Sequence, residues 1–489
     1  MSLDYEIYPL KKLNEGASVF SGFAFKSNDF SDEGIPIVKI KNIQNKSVDL
    51  KEVQYFPLDK VNNKHKKFFL KNNDVLIAMT GQGSLGRVGR INLESNEYVL
   101  LNQRVGKFVV DEKNLHLNYL YHVISSDMYE KILFDRGTGS GQPNLSPEII
   151  LGTEIPMPNL TIQKKISSIL DNINSKITLN KKINKNLEQL MKCIFEDWFV
   201  NFNYSEDISF KSSELGEIPS NWNVKKLSDV LITLESGKRP KGGISDIEDG
   251  IPSIGAENIL GLGKFNYSKN KLISHEFFST LKKGVIQDKD VLLYKDGAQL
   301  GRKSLFMKGF PFDICCINEH VFRLQTNDEI NQFYLYLWLD QEVMTNEIIN
   351  LNSNSAQPGI NQNDVKSLPI LVPELKIIGK FNKIISPMMN QIFDNALEIN
   401  KLTKLRDTLL PKLMSGEIDV SKINCDLKII IRKIYIKSSK LFLWRYLSEN
   451  KNYIKNTKSN ETLLKSRTIY KINKFLAKFT TRYRYYRQQ

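Results

Sequence analysis

The sequence is poor in the residues that build covalent frameworks and metal sites. Four cysteines (Cys193, Cys315, Cys316, Cys425) in 489 residues are too few and too irregularly spaced for a disulfide scaffold or a zinc cluster. The five histidines (His65, His116, His122, His275, His320) fall at no metal-ligand spacing. There is no run of 18 apolar residues, so no hydrophobic membrane-spanning helix is expected. The opening MSLDYEIYPL has no apolar stretch behind a basic cluster and does not read as a secretory leader. The expectation is a cytoplasmic protein in a reducing compartment.

Catalytic motifs are missing as well. The stretch GQGSLGRV (81–88) superficially matches a phosphate-binding loop, but Arg87 replaces the lysine and Val88 the magnesium-ligating hydroxyl. No G-x-G-x-x-G opens a helix after a strand. The chain has no Asn/Asp-Pro-Pro-aromatic tetrad of base methylation, and no Pro-Asp dipeptide of the common nuclease motif. Adjacent Cys315 and Cys316 read as a buried strand pair. The reading is a protein that does no chemistry and holds no metal of its own.

The net charge of +15 is local. Of 69 basic and 54 acidic residues, 18 and 3 fall in 421–489, which leaves 51 of each sign in 1–420. A neutral body can bind nucleic acid only through local patches, not through a global field.

What the sequence does have is a repeat. GIPIVKIKNI from Gly34 matches GIPSIGAENI from Gly250, and DVLIAMTGQG from Asp74 matches DVLLYKDGAQ from Asp290, both 216 residues apart. Asn102 in LNQRV matches Asn318 in INEHV at the same offset. Gln142-Pro143 and Gln357-Pro358, and Pro158 and Pro373, are 215 apart, one residue having been lost near Gly86-Arg87 and Gly301-Arg302. The constant phase implies one structural unit built twice.

Each copy opens with short β-rich runs between Gly, Asn and Pro turns, which predicts an α/β or α+β domain. Each copy then loses its glycines and becomes helical, with Pro158 and Pro373 just ahead of the helix, where proline is tolerated. The helices carry a 3.5-residue seam: Ile162, Ile166, Ile169, Ile173, then Ile183, Leu187, Leu190, Ile194. The second copy runs Ile377, Phe381, Ile384, Met388, then Leu402, Leu405, Leu409. Polar Lys176 and Asn180, and Gln391 and Asn395, interrupt the seams at mid-length, with Ile177 and Ile392 one place off. Such a seam needs a partner helix, and each copy supplies the other's. An antiparallel pair would bring the polar layers together in a rod of about 48 Å. An ordinary amphipathic core helix shares part of this pattern, but not its length or its recurrence. Pro387 predicts that the second helix is kinked or starts later.

The globular parts also offer polar, glycine-rich loops: GQGSLGRVGR (81–90), DRGTGSGQPN (135–144), SGKRPKGG (236–243), KDGAQLGRKS (295–304) and NSNSAQPGINQN (352–363). Arg and Lys can bond guanine edges, Asn and Gln adenine edges, and backbone N–H groups phosphates. Singly, such loops are ordinary solvated turns. Two spaced sets suit the reading of two DNA segments. On chemistry alone the candidate DNA contacts are Arg87, Arg90 and Arg104 in the first copy, and Lys238, Arg239, Arg302 and Lys303 in the second.

Over about residues 4–420 the chain resembles the specificity (S) subunits of type I restriction–modification systems. The motifs that carry the resemblance are SGFAFKSNDF with GIPIVKIKNI, GTGSGQPNLS, IPMPNLTIQKKI, LEQLMKCIFEDWFVNF, GEIPSNWNVKKLSDV and LRDTLLPKLMSGEIDV. The resemblance implies an α+β chain of two α/β target-recognition domains alternating with two long helices that pair as an antiparallel coiled coil. On that scheme 1–158 and 206–372 are the recognition domains, and 159–205 and 373–420 the central and distal helical regions. Each domain reads one half of a split, asymmetric site on double-stranded DNA, and the helices set the gap. Two methyltransferase (M) subunits and restriction (R) subunits dock on the chain, with no membrane partner. S-adenosylmethionine, ATP and Mg belong to those partners. The assembled complex would be a site-specific deoxyribonuclease and adenine methyltransferase, with this subunit non-catalytic.

The chain departs from the family beyond Val420. Residues 421–489 form a basic extension, rich in Lys, Ile, Asn and Tyr, that reads either as poorly ordered or as a non-specific phosphate binder. Two alternatives stand beside the main reading: a recognition subunit of a fused nuclease–methyltransferase (type II) system, and a scaffold that has lost DNA binding.

Overall fold

The computed structural model describes residues 7–44, 46–138, 143–204, 209–241, 243, 247–352 and 358–421. The extension from 422 onward, Gln142 and Gln357 lie outside these residues, as do parts of the loops 135–144, 236–243 and 352–363. The chain divides into two compact units. The first comprises the residues up to Lys176 and those from Leu402 to the end of the described chain. The second comprises Ile177–Lys401. The boundary falls inside both long helices, Leu160–Phe199 and Leu375–Ser415.

The first unit is built on a six-stranded sheet in the order Ala17–Ser21, Val105–Val110, Val75–Ala78, Val88–Arg90, Lys46–Val48 and Ile43–Gln44. The second has a four-stranded sheet in the matching order, Leu231–Ser236, Val321–Thr326, Val291–Tyr294 and Lys303–Leu305. Each unit adds a three-stranded sheet with one parallel pairing at corresponding register: Ile37 opposite Leu100, and Ser253 opposite Cys316. Each also pairs an early strand with the strand just ahead of a long helix, Lys12 opposite Glu154 and Lys226 opposite Pro369.

The four-stranded sheet stops where the six-stranded one continues, for a local reason. At Gly89 the absent side chain lets the strand Lys46–Val48 approach, since a Cβ there would lie 2.4 Å from the Ser47 carbonyl oxygen. The matching position in the second unit is Ser304. Its hydroxyl accepts from Leu260 N–H (3.1 Å) and Gly261 N–H (3.0 Å), so a side chain does the strand's work.

An ion pair recurs in both sheets, buried in the second unit and half-buried in the first. Asp290 is fully buried beside Arg323, whose Nη1 donates to Asp290 (2.9 Å) and whose Nε donates to Glu235 (2.9 Å). In the first unit the same two positions are Asp74 and Lys107, 3.5 Å apart, and Phe20 stands in the place of Glu235 with Lys107 over its ring. Asp74 also accepts from Lys71 N–H, and Asp290 from Gln287 N–H. A short, apolar helix then covers each core, Leu117–Ile124 and Gln332–Leu339. Each is tied down by a buried tyrosine, Tyr119 to the Pro156 carbonyl (2.8 Å) and Tyr334 to the Leu371 carbonyl (2.7 Å).

The long helices pack on each other within each unit. In the second unit Asn184 donates to the Ile392 carbonyl (3.0 Å), Asn395 donates to Asn184 (2.8 Å), and Asn180 donates to Glu398 (2.7 Å). Rising numbers on one helix meet falling numbers on the other, so the pairing there is antiparallel. In the first unit Arg406 donates to Asn174 (3.1 Å).

Of the seam residues expected from sequence, Ile166, Leu187, Ile194, Ile377, Phe381 and Met388 are buried. Ile162, Ile169, Ile173, Ile183, Leu190, Ile384, Leu402 and Leu409 are half-buried. Leu405 is a correction: it is 47% exposed, and Arg406 beside it turns inward. The buried stripe runs instead through Leu170, Ile177, Asn180 and Asn184, and through Ile392 and Asn395. Heptad spacing marks only apolar residues, whereas paired amides fill interior positions equally well. The second helix runs unbroken through Pro387, which sits on its exposed side, and starts at Leu375, not later.

Two consequences are testable by unfolding the full chain. Arg323→Ala leaves Asp290 buried and uncompensated, which costs about 3–5 kcal/mol. Lys107→Ala costs less, because Asp74 keeps contact with water; equal losses would contradict this account. Asn184→Leu alone strands the Asn395 amide and costs about 1–3 kcal/mol, while Asn184→Leu with Asn395→Leu recovers most of it. A double variant no better than the single one would show that the amide pair is not a self-contained layer.

Candidate nucleic-acid interface

The polar loops that are separate in sequence converge at one end of each sheet. In the first unit the strand Val75–Ala78 runs out into the loop 80–87. Leu145 N–H donates to the Met79 carbonyl (2.8 Å), which brings the segment after 142 alongside that loop. Met79 N–H donates to the Arg104 carbonyl (3.0 Å), and Gln103 N–H to the Phe23 carbonyl (2.9 Å). Three strand ends and one loop therefore share a surface. The second unit repeats two of these bonds, Ile360 N–H to the Lys295 carbonyl (2.9 Å) and Lys295 N–H to the His320 carbonyl (3.2 Å), and adds Gly297 N–H to the Pro358 carbonyl (2.8 Å).

Glycine makes the approach possible. A Cβ at Gly22 would lie 2.3 Å from the Leu101 carbonyl oxygen, and one at Gly237 would lie 1.7 Å from that of Ile317. Gly86 and Gly301 turn the loops with φ of 77° and 84°, a region costly for other residues.

The structure sorts the seven candidate residues. Arg104, Lys238, Arg239 and Arg302 are exposed on these loop ends. Arg87 is half-exposed, with Nε 3.6 Å from Glu130, and lines an open depression with Gln82, Lys131 and Phe134. Burial pushes the Glu130 carboxyl above the usual range, and Arg87 opposes that shift.

Arg90 and Lys303 are corrections, because both turn inward. Arg90 stacks on Tyr121 (3.8 Å) and donates to Asp171 (3.2 Å), with its Nε and Nη2 buried. Asp171, on the first long helix, also accepts from Asn118 (2.8 Å) and His122 Nε2 (2.9 Å). Burial pushes His122 below its ordinary value, so near neutral pH it donates as a neutral ring. Burial alone would raise Asp171, but the bonds from His122 and Arg90 outweigh it and hold the carboxyl below the usual range. This cluster ties the domain to its helix. Lys303 is 4% exposed and donates to Thr345. Charge type and loop composition cannot distinguish an outward cation from one that points into a strand pair.

Sequence reasoning missed a string of charged groups across the second unit's loop ends: Arg239 Nη1 lies 3.6 Å from Glu319, Glu319 3.4 Å from His320 Nε2, and His320 Nδ1 bonds Asp296. The signal was available. LNQRV aligns with INEHV, which places His320 opposite Arg104.

Comparison with known proteins finds relatives of this chain in sequence and in fold. The family model for the type I restriction modification DNA specificity domain matches residues 5–189 and again 219–407. The MjaIX type I restriction enzyme specificity subunit of Methanocaldococcus jannaschii is 25% identical over 317 residues, 64% of this chain and 72% of that one. The EcoBI specificity subunit of Escherichia coli is 24% identical over 425 residues, 82% and 84% of the two chains. The crystal structure of a type I restriction–modification S subunit from M. genitalium superposes with a TM-score of 0.51 at 17% identity, over 85% of this chain and 98% of that one.

Burial holds the Lys303 ammonium down to about 8, with Lys192 adding to the effect and Asp340 opposing it. A lysine depressed in the folded state destabilises the fold fully below its folded value, and the penalty disappears above its unfolded value near 10.5. Lys303→Met should therefore stabilise the fold at pH 7 by about 3 kcal/mol at most and raise the melting temperature. It should also flatten the rise in stability between pH 8 and 10.5. A variant that melts lower at pH 7, with the slope intact, would contradict this.

Proposed function

The chain belongs to the family of type I restriction–modification DNA specificity subunits, and on that premise we propose that it reads a bipartite, asymmetric duplex target, one half with each unit. Specificity subunits are the non-catalytic members of these systems, and the catalytic activities belong to partner subunits. We propose further that methyltransferase and restriction subunits dock on this chain, and that S-adenosylmethionine, ATP and Mg are bound by them.

One observation carries the reading. The two units share main-chain bonds at their loop ends, Leu145 to Met79 answering Ile360 to Lys295 and Met79 to Arg104 answering Lys295 to His320, with different side chains on them. TGQGSLGR in the first unit answers KDGAQLGR in the second, and Arg104 answers His320. A shared frame with unlike donors suits two readers of unlike sequences. Exposed arginines and lysines at such positions can take guanine edges or phosphates. The neutrality of residues 1–420 fits recognition by placed groups better than by a general field. No helix among the described residues is long and apolar enough to cross a membrane.

The test is sequencing of modified bases in cells that express this chain with its cognate methyltransferase subunits. The expected motif is split into two unlike halves. A palindromic motif, an unbroken one, or modification independent of this chain would each overturn the proposal.

A further inference from the structure

The two copies of the repeat differ at corresponding positions of their loop ends. After Gly22 the first unit carries Phe23 and Ala24, and after Gly237 the second carries Lys238 and Arg239. Met79 and Thr80 in the first unit become Lys295 and Asp296, and Gln103 and Arg104 become Glu319 and His320. Phe23 belongs to an aromatic cluster, with ring centroids 4.9 Å from Phe25, 4.7 Å from His65 and 5.3 Å from Phe68. The second unit replaces this apolar corner with the charged string described above.

Arg239 stands at the outer end of that string. Its side chain is 54% exposed, and Glu319 lies 3.6 Å from Nη1. Gly243 passes beneath it, where a Cβ would lie 3.3 Å from Nη2. Glu319 is in turn fixed beside His320, and His320 is held by Asp296, which also lies 3.4 Å from Lys295. A guanidinium oriented at one end and open at the other is pre-organised for a planar pair of acceptors. In the major groove that pair is O6 and N7 of guanine. The equivalent position of the first unit is Ala24, which has no donor.

We propose that Arg239 reads a guanine in the half-site taken by the second unit, and that the first unit places no such demand on the corresponding position of its half. The inference rests on the proposed role as a sequence-reading subunit and specifies the base class that one unit takes.

The experiment uses the full chain assembled with its cognate methyltransferase subunits, selecting from a library of random duplexes. The expected wild-type consensus has two halves, one of which contains a required guanine. Arg239→Ala should relax that guanine alone, lowering discrimination about 5- to 150-fold and leaving the other half unchanged. Arg239→Gln should move the preference at that position toward adenine, a gain that a folding defect cannot mimic. Relaxation at a position that was adenine or thymine, changes in both halves, or an unaltered consensus in both variants would overturn the inference. Recovery of duplexes without any consensus by the wild-type assembly would instead overturn the reading of the chain as sequence-specific, and this inference with it.

Discussion

The candidate surface depends on one constraint: its loop ends are fixed by main chain against main chain. The approach at Gly237 leaves no room for a side chain, since a Cβ there would lie 1.7 Å from the Ile317 carbonyl oxygen. Hydrogen bonds of 2.8–2.9 Å from Phe23 N–H to Leu101, from Gln103 N–H to Phe23, and from Leu145 N–H to Met79 tie the first unit's loops without any side chain. Backbone donors and acceptors are the same whatever residue carries them. The side chains that point outward are thus released from any duty in holding the fold. They can change completely between copies while the frame stays put, and comparison of the two units shows that they have.

The same logic holds in the interior, where substitutions come in compensating sets. Phe20 in the first unit accompanies Lys107 and Asp74, whereas Glu235 in the second accompanies Arg323 and Asp290. A half-buried carboxylate at 235 beside the buried Asp290 calls for a cation with two separated donor edges, and a guanidinium has them where an ammonium does not. Gly89 with a neighbouring strand, and Ser304 with its hydroxyl on Leu260 and Gly261, are likewise two solutions to one unsatisfied edge. Burial enforces such coupling, because a lone polar change would leave a partner unpaired.

The duplication, the α+β character of each copy and the existence of two long helices were legible in the sequence, because offsets and heptad spacing are properties of residue order. The phase of the helix pair was only partly legible. Hydropathy marks Leu405 as a seam residue and Arg406 as solvent-facing, yet Arg406 finds Asn174 and Leu405 stays 47% exposed. An interior amide or guanidinium is invisible to a hydrophobic pattern until its partner is known. The same limit applies to Arg90 and Lys303. Each follows a glycine-rich loop and looks like a surface donor, but the pairing of its strand turns it toward Asp171 or Thr345. Main-chain convergence of distant segments, such as Met79 with Leu145, left no mark in either copy of the repeat.

Charge pairing on the loop ends bears on how such a surface can discriminate. Arg87 has Glu130 at 3.6 Å, Arg239 has Glu319 at 3.6 Å, and Lys295 has Asp296 at 3.4 Å. A cation beside a carboxylate attracts a phosphate less than a bare one, because the approaching anion meets a nearly neutral pair. Non-specific affinity for duplex backbone, which grows with each unpaired cation, is correspondingly restrained. A base edge offers neutral acceptors at fixed spacing, so what it requires from the protein is donor geometry more than net charge. The carboxylate that weakens the general attraction also holds the donor in place, and under the proposed function both effects would shift the balance of binding toward contacts that differ between base pairs.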